Sequence, residues 1–250
     1  MTENKGGMRR TLAWLYLAVL LMLLSAAAIW LYHSPYLPIR RIDIEGDLVR
    51  SDRGELRRLA QKHIRGGILK ADLNSAQEAF SRLPWIAKAQ VRRRLPDTVE
   101  IILVERKPAA RWRDGRLLDS EGNLFSARLD EKTGLPLFEG WDDEGKIMLS
   151  RWRDFQKELR PLGLNVKKLT YTARASWELE LDNGITVRLG RGDEIERIKR
   201  FAAVWPDTLR PQAGRLAYID MRYSDGFAVR AKTRDQNEAE PEAGPLEGTE

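Results

Sequence analysis

From Thr11 to Tyr32 the chain reads TLAWLYLAVLLMLLSAAAIWLY without one charged side chain. No other feature restricts the fold as much, because a helix needs ~20 consecutive apolar residues to cross the hydrocarbon core of a bilayer. Trp14 and Tyr16 stand near one end and Trp30 and Tyr32 near the other, and aromatic rings favour the water–lipid boundary. Lys5, Arg9 and Arg10 precede the run, which predicts a cytoplasmic N-terminus over 1–10, a span over 11–32 and export of the chain beyond Tyr32. Ala26-Ala27-Ala28 would suit a cleaved signal peptide, but the apolar run is long for that role and continues through Ile29, Trp30 and Leu31. The reading is an uncleaved anchor.

Beyond the anchor the chain is ordinary in hydrophobic content. It has no cysteine, which excludes disulfides and thiolate metal sites and leaves the redox compartment open. Its two histidines, His33 and His63, are far apart. Neither has an obvious nucleophile beside it, so a Ser/His/Asp triad is not indicated. No glycine-rich phosphate loop and no metal-ligand cluster is visible, and Asp142-Asp143-Glu144 reads as solvated loop charge. The net charge of +6 leaves nucleic acid, anionic lipid or an acidic protein as partners for a basic body. An arginine-rich strand at Arg92-Arg93-Arg94 lacks the interleaved aromatic platform of a single-strand binder. With the body exported, no nucleic acid partner is expected.

The first exported module, 36–107, begins with Ile39, Ile42 and Ile44 as a strand ended by Gly46. A helix comes next, capped by Ser51 or Asp52, with Leu56, Leu59, Ala60 and Ile64 at helical spacing. A second helix, capped by Asp72 or Asn74, buries Leu73, Ala76, Ala79, Phe80 and Leu83 and stops at Pro84. Two strands then flank a turn at Leu95-Pro96-Asp97, the second presenting Val99, Ile101 and Leu103 on one face. The order β-α-α-β-β predicts a small α+β layer with two helices on one face of a sheet.

The second module, 108–231, is read as a mostly antiparallel β-domain with two helices. Glu121-Gly122-Asn123 and Asn183-Gly184 are hairpin signals. One helix carries Leu149, Trp152, Phe155 and Leu159 inward, the other Ile195, Ile198, Phe201, Ala202 and Trp205. Arg191-Gly192-Asp193 is read as a strand-to-helix turn with Asp193 as the cap. In the last strand region, Ile219, Met221 and Tyr223 alternate with Asp220, Arg222 and Ser224 until Asp225-Gly226 breaks the pattern, and Phe227, Ala228 and Val229 resume it. The acidic tail 232–250 is too poor in apolar residues to offset chain entropy, and disorder is expected there.

The stretch LPWIAKAQVRRRLPDTVEIILVERKPAARW resembles a POTRA domain, and more narrowly that of the FtsQ/DivIB family of bacterial cell-division proteins. The second module resembles the β-domain of the same family through SEGNLF, Ser176-Trp177, the DNG hairpin, LGRGD, RIKRF and IDMRYSDG. The resemblance implies a non-enzymatic inner-membrane scaffold of the divisome, without cofactor or metal. It would bind FtsB and FtsL through the β-domain, with POTRA contacts to earlier and later division proteins. Strand addition at an open edge is the expected mechanism.

The positions matched to the FtsB edge are Arg222, Tyr223, Ser224, Asp225 and Gly226, with Phe227 next in the chain and Arg174 on a neighbouring strand. Tyr223 is a common contact-hot-spot type, Arg222 and Arg174 suit acidic partner groups, and Gly226 permits close backbone approach. Ordinary packing of Tyr223 and a plain turn at Asp225-Gly226 stand beside these roles. If the chain folds back there, Phe227–Val229 is the outer strand. Some relatives carry a tryptophan shortly afterwards, where this chain has Arg230-Ala231-Lys232. On the POTRA module the contact candidates are Trp85, Arg92 and Arg94, with rim packing and a solvated strand face as the plainer alternatives. A POTRA-type transport chaperone and a membrane-anchored enzyme are the competing functions. The first would need a C-terminal barrel, the second a nucleophile with an oriented base.

Overall fold

The computed structural model describes residues 5–33, 38–130 and 133–232. Of the expected acidic tail, residues 233–250 lie outside them. The chain divides into two compact units, Met1–Arg106 and Lys107–Glu250.

The apolar N-terminal run is helical, α1 (Lys5–His33), over 29 residues. Among the described residues, however, no helix is long and apolar enough to cross a membrane. The expected span is met as a helix and not as a crossing.

Beyond it the first unit has the expected order: β1 (Arg41–Glu45), α2 (Arg53–His63), α3 (Leu73–Ser81), β2 (Ile86–Arg94) and β3 (Thr98–Glu105). The strands form a three-stranded sheet in the order β1-β3-β2, with β1 parallel and β2 antiparallel to the central strand. Asp52 caps α2 by accepting from the amides of Gly54 and Glu55, and Asp72 caps α3 by accepting from that of Ser75. Each carboxylate satisfies donors that have no partner within the helix. The core joins Leu56, Ala60 and Ile64 with Leu73, Ala76 and Phe80 over Val99, Ile101 and Leu103. Each of the Leu, Ile, Val and Phe side chains among them is worth roughly 1.5–3 kcal/mol of apolar burial.

The second unit holds β4 (Pro108–Trp112), β5 (Leu117–Asp119), β6 (Leu124–Phe125), β7 (Leu137–Glu139), α4 (Gly145–Leu159), β8 (Val166–Tyr171), β9 (Trp177–Leu181), β10 (Thr186–Gly190), α5 (Glu194–Val204), β11 (Leu216–Asp220) and β12 (Ala228–Ala231). The strands form one nine-stranded sheet in the order β12-β11-β10-β9-β8-β7-β4-β5-β6. Hairpins give antiparallel pairs, as expected at Asn183-Gly184 between β9 and β10. The pairs β4–β7, β7–β8 and β10–β11 are parallel, because parallel neighbours need a crossover; α4 and α5 supply two of these. The sheet is therefore mixed, with antiparallel pairing predominant.

One register row crosses the sheet through Trp112, Phe138, Leu169, Leu179, Val187, Ile219 and Val229. All but the last are buried, and they join Phe155 of α4 and Phe201 of α5 in one core. Val229, at the edge, is 48% exposed. Asp193 stands before α5 as expected, yet its side chain makes no capping bond. Its backbone is left-handed, at φ 55°, and it is the Asp193 carbonyl that receives the Arg197 amide.

Candidate functional site

The site begins where β11 ends. Ile219 and Met221 are buried, as their alternation requires, but Asp220 is buried as well and Tyr223 is 59% exposed. Strand pairing stops at Asp220, so the two-residue parity no longer governs the residues after it. Residues 221–227 form a loop, and β12 returns antiparallel to β11, with Ile219 opposite Val229 and Tyr218 opposite Arg230. Asp225-Gly226 thus lies in a reversal of the chain, and the outer strand is β12. Tyr223 is not a core residue.

The loop is held by a residue absent from the sequence-based site. Arg200 of α5 donates from its guanidinium to the carbonyls of Met221 (3.2 Å), Tyr223 (2.9 Å) and Ser224. Arg222 is engaged too. Its Nε donates to Asp220 Oδ1 at 2.9 Å and its Nη2 to Oδ2 at 2.6 Å, and its own amide reaches Oδ1 at 3.1 Å. The hydrogen bonds from Arg222 hold the Asp220 carboxyl below the usual carboxylate range against the opposing effect of burial, and the charge of Arg188 adds to the lowering. Arg222 therefore reaches a partner carboxylate only by sharing its guanidinium with Asp220. Its stem lies on Gly190, whose φ is +74° and where a Cβ would stand 2.8 Å from Arg222 Cγ. Any larger residue there would displace the arginine.

Ser224 Oγ donates to Asp225 Oδ2 at 3.1 Å. At Gly226 an added Cβ would meet nothing within 4 Å, so the backbone is open to approach. Phe227 is half-buried and packs against the core of the unit, which pins the start of β12. On the sheet face away from the helices, Arg188 lies over the Tyr218 ring at 4.4 Å and Arg230 at 6.0 Å.

Arg174 lies in the turn between β8 and β9 and is exposed. The directions of pairing place it at one end of the sheet with residues 221–226, since β8, β10 and β11 all run toward that end. The sequence-predicted positions are thus brought to one side, with β10 between them.

On the first unit, Trp85 is half-buried with the Arg50 guanidinium 5.1 Å from its ring centroid. Arg92 and Arg94 are exposed on the sheet face away from the helices. Arg92 pairs with the buried Glu100 carboxylate, whose ionised form is favoured by that hydrogen bond and by the charges of Arg92 and Arg94 despite its desolvation. Arg93 points the other way and donates to the carbonyls of Ile68 (2.8 Å) and Ala71 (2.7 Å). Glu105 gathers the amides of Val49, Arg50 and Ser51 and the Ser51 hydroxyl within 3.1 Å. Burial pushes this carboxyl up, and those hydrogen bonds outweigh it and hold it below the usual range.

His63 does meet a serine: its Nδ1 is 3.2 Å from Ser75 Oγ. The contact joins α2 to α3. Among the described residues no group of three His, Asp or Glu side chains could hold a metal ion. Asp142 pairs with Arg116 at 2.6 Å, and the Glu144 carboxylate accepts from the Trp141 amide at 3.1 Å.

A β-α-α-β-β unit preceding a mixed sheet whose last strand is outermost among the described residues is the architecture of a POTRA-containing chain. The comparisons with known proteins carry this further. Residues 37–106 match the family model described as POTRA domain, FtsQ-type, and residues 110–222 match Cell division protein FtsQ/DivIB, C-terminal. A protein named Cell division protein FtsQ from Neisseria gonorrhoeae is 48% identical over 92% of this chain and 95% of its own length. Its namesake from Neisseria meningitidis serogroup B is 47% identical over 94% of this chain and 100% of its own. One from Burkholderia pseudomallei is 35% identical over 87% and 89%. The chain belongs to the FtsQ/DivIB family of cell-division proteins.

Proposed function

We propose that this chain is a non-enzymatic scaffold of the division septum, anchored in the inner membrane by α1, with its N-terminus cytoplasmic and both compact units periplasmic. It binds FtsB, and FtsL with it, by adding a partner strand to the outer edge of β12. The observation that carries the reading is that edge. Among the described residues β12 pairs on one side only, and Val229 continues a buried apolar row into solvent. Main-chain hydrogen bonds along β12 would supply affinity, and Val229, Tyr223 and the loop would supply selectivity.

The anchor reading is supported by side chains that are apolar on all sides of α1. Leu15, Tyr16, Met22 and Leu23 are each more than 60% exposed, a surface that water does not favour.

Binding is tested with the full chain in detergent micelles, titrated with the exported segment of its own FtsB homologue. Wild type is expected to bind. Tyr223→Ala and Val229→Glu, with unchanged circular dichroism, are expected to weaken binding by at least tenfold. Equal binding by all three would move the site away from β12.

A further inference from the structure

Helix α4 carries a basic stripe. Arg153, Lys157 and Arg160 follow one another at spacings of four and three residues, which puts them on one helix face, and all three are exposed. With Trp152, Gln156 and Pro161 they line a groove of about 500 Å³. Arg153 donates to the Ser120 carbonyl at 2.8 Å. Lys157 and Arg160 make no ion pair among the described residues, so their charge is unmatched. Between the cations lies an aromatic wall: Trp152 packs against the core, its ring centroid 6.2 Å from that of Phe138. The Trp152 Nε1–H is buried and has no acceptor among the described residues, a state in which buried donors are rarely left. Gln156 ties the groove to the start of β8, accepting from the Val166 amide at 3.0 Å and donating to Asn165 Oδ1 at 2.8 Å.

The strands β8, β10 and β11 run in the same direction, and β12 runs back along β11 until Ala231 faces Leu216. The chain therefore leaves β12 at the end of the sheet where β8 begins, which is the end that carries the groove. From Thr233 to Glu250 the sequence holds Asp235, Glu238, Glu240, Glu242, Glu247 and Glu250 against the single basic residue Arg234. Its one large apolar side chain is Leu246, with Glu242 four residues before it and Glu247 directly after. We propose that the groove on α4 is the binding site of this acidic tail, with Leu246 packed on Trp152 and the Glu242 and Glu247 carboxylates paired with Lys157 and Arg160. The reach is sufficient. From β12 to β8 is four strand spacings, roughly 19 Å at ~4.8 Å each, and the stretch from Lys232 to Leu246 covers up to roughly 48 Å when extended. Each exposed ion pair is weak, but a tethered segment meets its site at an effective concentration of about millimolar. A groove filled in this way is closed to acidic segments of other proteins until they displace the tail.

The test places a photo-crosslinking residue at position 246 of the full chain in detergent micelles and maps the product by mass spectrometry. The label is expected on the 152–161 segment of the same chain. It should fall by about tenfold or more when Lys157→Glu and Arg160→Glu are combined, and it should fall likewise in about 1 M salt, where the Debye length is ~3 Å. Lys157→Arg should keep it. Circular dichroism checks that each variant folds, and Lys157→Gln with Arg160→Gln replaces the charge-reversed pair if that pair does not. Labelling that misses 152–161, or that spreads evenly along the chain, would overturn the proposal. So would a label on 152–161 that survives the loss of both charges, or one that joins two copies of the chain.

Discussion

At the scale of single residues, three carry arguments that can be checked directly. Glu105 holds the 49–51 segment through several charge-assisted hydrogen bonds. Its carboxyl is depressed in the folded state, so its stabilising contribution is complete above the ordinary carboxylate value and is lost as pH falls through the folded one. Glu105→Gln should cost about 1–2 kcal/mol at pH 7, a figure reduced for partial exposure. The gap to wild type should close below about pH 4, as read by urea denaturation across pH. Arg200 collects three loop carbonyls, and Arg200→Ala should raise amide exchange across 221–226 while leaving the sheet protected. Asp52 is a side-chain cap, and its alanine variant should lose about 1 kcal/mol of stability.

At the scale of elements, β12 decides the function proposed. An edge strand presents unpaired amides and carbonyls, and natural edges are commonly shielded by charge or by covering structure. Here the edge carries Arg230 on one face and an exposed Val229 on the other. A proline at 229 should abolish partner binding with little loss of fold, because the core row is intact as far as Ile219. Leu179→Ala in the middle of that row should instead cost about 2–5 kcal/mol, measured by chemical denaturation. Comparing the two separates a docking strand from a packing strand.

At the scale of the whole molecule, α1 presents apolar side chains in every direction while the two compact units each bury a core of their own. The full chain should fractionate with membranes and resist alkaline extraction, whereas deletion of 5–33 should release it to the soluble fraction with both cores intact by circular dichroism. A deletion variant that remained in the membrane fraction would show that α1 is not the anchor.

Much of this was legible in the sequence for local reasons. The two-residue period marked the strands, helical spacing marked α2 to α5, and Asp52 and Asp72 were among the capping choices. Asn183-Gly184 announced its hairpin. Each of these is set by neighbours a few positions away in the chain. The state of Tyr223 was not legible, because alternation identifies a face only while pairing continues, and pairing ends at Asp220. Arg200 was missed for a related reason: nothing in RIKRF names the loop its arginine will hold. That β12 lies outermost is a consequence of the α5 crossover, which puts β11 parallel to β10 and leaves the returning strand no other neighbour. Local periodicity determined the elements of this protein, while the order of strands in the sheet, fixed only by long-range packing, decided which edge was left open.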